Sequence, residues 1–244
     1  MKRLTFLIAT IFSLSVYGQD TLKSKPTKDF KRVLIGVNFS PDYCYRTLKN
    51  NDGSSSSTFV LESRNDREIA KFGYTAGLNV CYNFTNLIGI ETGVQYSNKG
   101  YQTKMQDLIW GQPDPSLPTK AKFIYNDNYI DIPLKVNFTF GKKKFRFCAS
   151  AGLTTNIFIN ETSTSVQEFS DGDQKKQTSK TSFSYKRIDL SPTVSIGVDY
   201  KINNKMNLKV EPTFRYGVLK IIDSPVTGYL WNAGLNISYY FGLK

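Results

Sequence analysis

Residues Asp127–Gly141 read DNYIDIPLKVNFTFG, and the stretch alternates with a period of two. Ile130, Ile132, Leu134, Val136, Phe138 and Phe140 fall on one side. Tyr129, Asp131, Pro133, Lys135, Asn137 and Thr139 fall on the other. Successive side chains of a strand face opposite ways. The stretch therefore predicts a strand with one apolar face and one face carrying an acid, a base and an amide. The apolar face looks either into a protein core or out into lipid, and that choice decides the fold.

The same alternation recurs at Val33–Phe39, Phe72–Phe84, Ile88–Tyr96, Phe145–Thr155, Ile188–Tyr200, Met206–Tyr216 and Tyr229–Phe241. With the first stretch this makes eight predicted strands, most of them near the ~9–11 residues that a tilted membrane strand needs. Their connections alternate in length. FTN, GKKK and INNK are tight hairpin turns. Arg46–Ala70, Lys104–Lys122 and Glu161–Ser182 are long, and Ile221–Thr227 is of intermediate length. Loops so long are unusual inside a compact soluble domain. Short turns alternating with long loops, over an even number of strands, are the pattern of outer-membrane barrels, with the short turns in the periplasm.

A soluble barrel of the lipocalin kind would also alternate, but its outward row should be rich in Lys and Glu. Here the polar rows are dominated by small residues such as Gly73, Gly77, Gly93, Gly152, Asn79, Thr154 and Asn232, which suit the crowded interior of a narrow barrel. Charges of both signs join them. Glu91, Asp131, Asp189, Asp199 and Glu211 face Lys135, Arg146, Arg187, Lys209 and Arg215, as a neutralised polar interior requires. The sequence does not say which of them pair. The apolar rows carry Tyr82, Phe84, Phe138, Phe140, Phe145, Tyr239 and Phe241 beside the short turns, and Tyr74, Tyr96, Tyr216, Tyr229 and Trp231 toward the long loops. Two aromatic girdles mark two membrane interfaces. The expected fold is an all-β, eight-stranded, antiparallel up-and-down transmembrane barrel. Pro133, Pro192 and Pro212 lie within its strands, where bulges or strand starts are expected.

The chain opens with Lys2 and Arg3, an apolar run from Leu4 to Leu14, and small residues up to Gly18. Residues 1–18 thus read as a secretory signal peptide, residues 19–30 as a short periplasmic segment, and residues 31–244 as the barrel. The net charge of +12 is scattered over turns and loops. Export argues against a nucleic-acid partner, and a basic surface would instead meet anionic lipid headgroups or a glycan. Cys44, Cys81 and Cys148 are too few and too far apart for a disulfide framework and read as small fillers.

The chain has no histidine, which removes Ser-His-Asp and Cys-His catalysis and histidine-containing metal sites. Asp199, Glu211 and Arg215 could form an interior network, and core salt bridges are the preferred reading over catalysis. No catalytic residue, cofactor or metal is expected. An eight-stranded barrel encloses little beyond its own side chains, so bulk transport is not expected. The function that follows is a non-enzymatic membrane anchor whose surface loops bind an envelope protein or glycan, with the barrel-assembly machinery as a partner during insertion. The alternatives are an outer-membrane enzyme acting on lipid or glycan, and a narrow channel.

YIDIPLKVNF (Tyr129–Phe138) resembles the signature strand of the PorT-like outer-membrane β-barrel proteins common in Bacteroidetes. IGIETGVQYSNKG (Ile88–Gly100), FGYTAGLNV (Phe72–Val80) and the closing GLNISYYF (Gly234–Phe241) are similar to that family as well. The chain departs from it in carrying Gly242, Leu243 and Lys244 after the last aromatic. The resemblance covers the mature chain and implies an outer-membrane barrel. Some members of that family assist type IX secretion or gliding, and it offers no catalytic residues.

Overall fold

A computed structural model describes residues 31–112, 114–180 and 185–243. The expected signal peptide (1–18) and periplasmic segment (19–30) lie outside them, as do Ser182 and Lys244. The described residues are almost all strand: β1 (Val33–Asn50), β2 (Glu68–Ile69), β3 (Lys71–Asn83), β4 (Ile88–Thr103), β5 (Gln106–Asp107), β6 (Lys120–Phe140), β7 (Phe145–Glu168), β8 (Gln174–Lys180), β9 (Ile188–Lys201), β10 (Met206–Tyr216) and β11 (Val226–Gly242), with one helix, α1 (Ser55–Arg67).

That is more strands than the eight expected. The three additional ones, β2, β5 and β8, pair only with the far ends of β4, β6 and β7. The eight long strands pair antiparallel in chain order, β1 with β3, β3 with β4, β4 with β6, and onward to β10 with β11. β1 then pairs with β11, from Leu34↔Gly242 to Asn50↔Val226, so the ladders return to their starting point. A sheet without an edge leaves no row of unpaired N–H and C=O groups, which is what a strand in hydrocarbon requires.

Burial is inverted relative to a water-soluble core. No Ile, Phe, Met or Trp is buried among the described residues, whereas Asn79, Glu91, Asp131, Asn156 and Glu211 are at most 1% exposed. Ile132, Val80 and Leu235 are 38%, 43% and 40% exposed, so the apolar rows face outward as expected. On β6 the outward row runs from Ile130 to Phe140. At about 3.3 Å per residue and a tilt of about 45° it reaches about 23 Å along the membrane normal, close to the ~25 Å apolar band of outer-membrane barrels.

The strands overrun that band at the long-loop end, where two of the expected long loops, Arg46–Ala70 and Glu161–Ser182, carry regular structure within the described residues. β7 runs for 24 residues and folds back as the β7–β8 hairpin. Arg46–Ala70 holds the end of β1, then α1, then β2. Ser54 caps α1 by accepting from Ser57 N at 3.1 Å, and Arg64 and Arg67 occupy the last turn, where they favour the helix dipole. No bulge occurs at the three prolines, and Pro192 pairs with Leu153 just outside the β9–β10 ladder, which ends at Arg215↔Thr193. Pro133 and Pro212 pair on one side, with Thr154 and Leu235, and the register on the other side skips them without shifting. A strand residue directs its N–H to one neighbour only, so a proline deletes one rung and leaves the opposite ladder whole. The shift falls instead between Asn128 and Tyr129.

Candidate functional site: a charged interior and a clamped outer crown

The polar rows meet inside the cycle, stacked in three levels. At the level nearest the short turns, Glu91 and Lys135 are directly opposed across β4 and β6 and approach to 2.8 Å. Lys209, from β10 on the far side, lies 3.9 Å from Glu91 and 2.9 Å from Glu211. Asn137 donates to Glu91 at 2.8 Å. Four charges from three strands thus make one chain across the interior. Arg146 and Asp199, opposed on β7 and β9, close a separate pair at 2.7 Å.

In the middle, Asp42 accepts from Ser40 (2.6 Å), Thr75 (2.6 Å) and Asn232 (2.9 Å) and stands 3.6 Å from Arg215. Above it, Lys99 bridges Asp131 at 3.1 Å and donates to Asn156 at 2.7 Å. Asp189 is half-buried and accepts from the backbone N–H groups of Leu190 and Leu219. Nine of the ten charges named from the sequence therefore face inward or line the rim. Arg187 does not: it is exposed, one residue before β9 begins at Ile188. Alternation fixes facing only where a strand is paired, and Arg187 precedes the paired run.

Asp42, Lys99 and Arg46 were missed because the expected strands ended too early. Their signal was available: Ser40, Asp42, Cys44 and Arg46 continue the inner row of β1 beyond Pro41, every second residue. Cys44, Cys81 and Cys148 are buried free thiols on that inner face. No group of three or more metal-ligating side chains forms among the described residues.

The long-loop end is built on Arg46, 2% exposed at the top of β1. It donates to Glu68 at 2.7 Å, to Asn65 at 2.7 Å and to the Arg64 carbonyl at 3.2 Å. Arg64 in turn donates to Glu68 at 2.7 Å and to the Tyr101 hydroxyl at 3.1 Å. One buried guanidinium from the wall thus holds the carbonyl end of α1, the end where cations are favoured, and the helix is pinned over the opening. Beneath it, Asp127 and Glu161, both buried, are cross-strand neighbours on β6 and β7.

A family model described as outer membrane protein beta-barrel domain matches residues 18–223. A search of curated proteins finds no match. Among solved structures, the outer membrane protein OprG from Pseudomonas aeruginosa is similar at 13% identity and a TM-score of 0.45, covering 87% of this chain and 97% of that one. Neisserial surface protein A is similar at 10% identity and a TM-score of 0.44, covering 84% and 95%. The outer membrane protease OmpT from Escherichia coli gives 8% identity and a TM-score of 0.42, covering 91% and 100%. Likeness at that level carries no functional argument.

Proposed function

We propose, from the premise that this chain belongs to the outer membrane protein beta-barrel domain family and resides in the outer membrane of a Gram-negative bacterium, that it is a non-enzymatic anchor presenting a rigid crown to an envelope protein or glycan. In this reading the long-strand cycle is an eight-stranded transmembrane barrel with FTN, GKKK and INNK in the periplasm. Within the family it falls with the PorT-like barrels of Bacteroidetes, on the strength of Tyr129–Phe138. The absence of histidine supports a role without acid–base catalysis, and the charge chain from Lys135 to Glu211 across the interior supports a plug rather than a pore.

The observation that carries the reading is the Arg46 clamp. A wall residue is buried in order to fix α1 outside the membrane, which orders a surface that would otherwise lose binding energy to its own flexibility. The test replaces Ser55–Arg67 and the tip of the β7–β8 hairpin with short Gly–Ser linkers, in the native host. Outer-membrane insertion should persist while cross-linked partners are lost. Intact cells should be cut by trypsin at Lys175, Lys176 or Lys180 and spared at Lys142–Lys144. Partners retained after both replacements, or cleavage at the short turns of intact cells, would overturn the proposal.

A further inference from the structure

The short-turn end of the interior is not filled. A cavity of about 260 Å³ opens there, floored by Glu91, Asn137 and Lys209 and rimmed by the three short turns. Eight Lys or Arg side chains line it against two carboxylates, Glu91 and Asp199. Both carboxylates are already engaged, Glu91 by Lys135 and Lys209 and Asp199 by Arg146. Lys31, Lys142, Lys143, Lys144 and Lys205 have no ion-pair partner among the described residues, yet they converge on one opening. Arg146 is nearly buried, and its Nε donor has no hydrogen-bond partner.

Like charges around a low-dielectric well focus a positive potential into it and draw in counter-ions. The turns hold the lysines in place. Gly141 takes φ 119°, which lets the chain reverse directly into Lys142–Lys144. At about 30 Å³ per water, the volume is that of about nine waters, enough for one or two phosphate groups and too small for a folded partner. Lysine point charges with an arginine donor behind them suit phosphate oxygens.

We propose that this vestibule is a binding site for a phosphate-bearing anion, either a free polyphosphate-type ion or the headgroup of an anionic lipid in the adjoining leaflet. The aromatic girdle at the same level, with Phe145 and Tyr200 in ring contact at 4.6 Å, places the rim where lipid headgroups lie. The site is separate from the crown and does not depend on its having a partner.

The test uses the full chain in nanodiscs of zwitterionic phosphatidylcholine, titrated calorimetrically with inorganic pyrophosphate at low salt. Saturable binding at one site per chain is expected. It should weaken at least tenfold in the exposed-turn variant Lys142→Gln/Lys143→Gln/Lys144→Gln and persist in Lys175→Gln/Lys176→Gln/Lys180→Gln, which removes equal charge at the opposite end. Heat-modifiable migration of both variants checks that the barrel is intact. Discs containing phosphatidylglycerol separate the sources: weakened pyrophosphate binding assigns the site to headgroups, and unchanged binding assigns it to a free anion. Absence of saturable heat, equal losses in the two triple variants, or tighter binding of a glutamate-rich peptide than of pyrophosphate would each overturn the proposal.

Discussion

Replacing Glu91 by Gln tests whether the buried charges beneath the short-turn cavity depend on one another. Glu91 is 1% exposed and serves two lysines, Lys135 at 2.8 Å and Lys209 at 3.9 Å. At an effective dielectric constant near 20, contacts at those distances are worth about 6 and about 4 kcal/mol before desolvation. The carboxylate's own burial penalty, several kcal/mol, offsets roughly half of that sum. Lys209 keeps Glu211 at 2.9 Å, so the orphan is Lys135, whose side chain is 6% exposed. Glu91→Gln should cost about 3–5 kcal/mol, the range seen when one member of a buried pair is removed. Lys135→Met placed on top should restore most of it, giving a coupling of at least about 2 kcal/mol. Equilibrium urea unfolding in lipid vesicles, read through the fluorescence of Trp110 and Trp231, measures both, provided the denaturant slope is unchanged. A loss below about 1 kcal/mol for Glu91→Gln, or strict additivity in the double variant, would show that water from the short-turn cavity screens the pair and would refute the account of interdependent buried charges.

Two further outcomes follow from the geometry. A Cβ at Gly152 would lie 2.1 Å from the Leu134 carbonyl oxygen and 2.6 Å from Lys135 Cα, so Gly152→Ala should force the β6–β7 ladder apart and lower stability by about 1–3 kcal/mol; Gly111→Ala, with no neighbour within 4 Å, should change it by less than about 0.5 kcal/mol.

Facing was legible in the sequence because a period of two needs no partner to be read. Ile132, Val80 and Leu235 lie outward and Asp131, Asn79 and Asn236 inward, as alternation alone requires. The pairs were not legible, since opposition of Glu91 to Lys135 depends on register across the long β4–β6 connection, and no turn chemistry sets that register. The strand ends were misjudged because the apolar row stops at the membrane boundary while the ladder continues; Lys99 and Arg46 lie in that extension. α1 carried no apolar stripe to betray it, only Ser54 as a cap. Its order comes from a contact with Arg46, distant in the chain from most of the helix.

The β1–β11 ladder has a consequence for how the molecule comes into being. Every other ladder of the cycle joins consecutive long strands and can zip from the connection between them. This one joins Leu34 to Gly242, and its closure entropy grows only slowly with the span, so the obstacle is timing rather than free energy. Until β11 docks on β1, the assembling sheet exposes two raw margins at once, each a template for the wrong partner. Both margins therefore need a guardian until that ladder closes, and losing β11 would leave an open ribbon in place of a smaller cylinder.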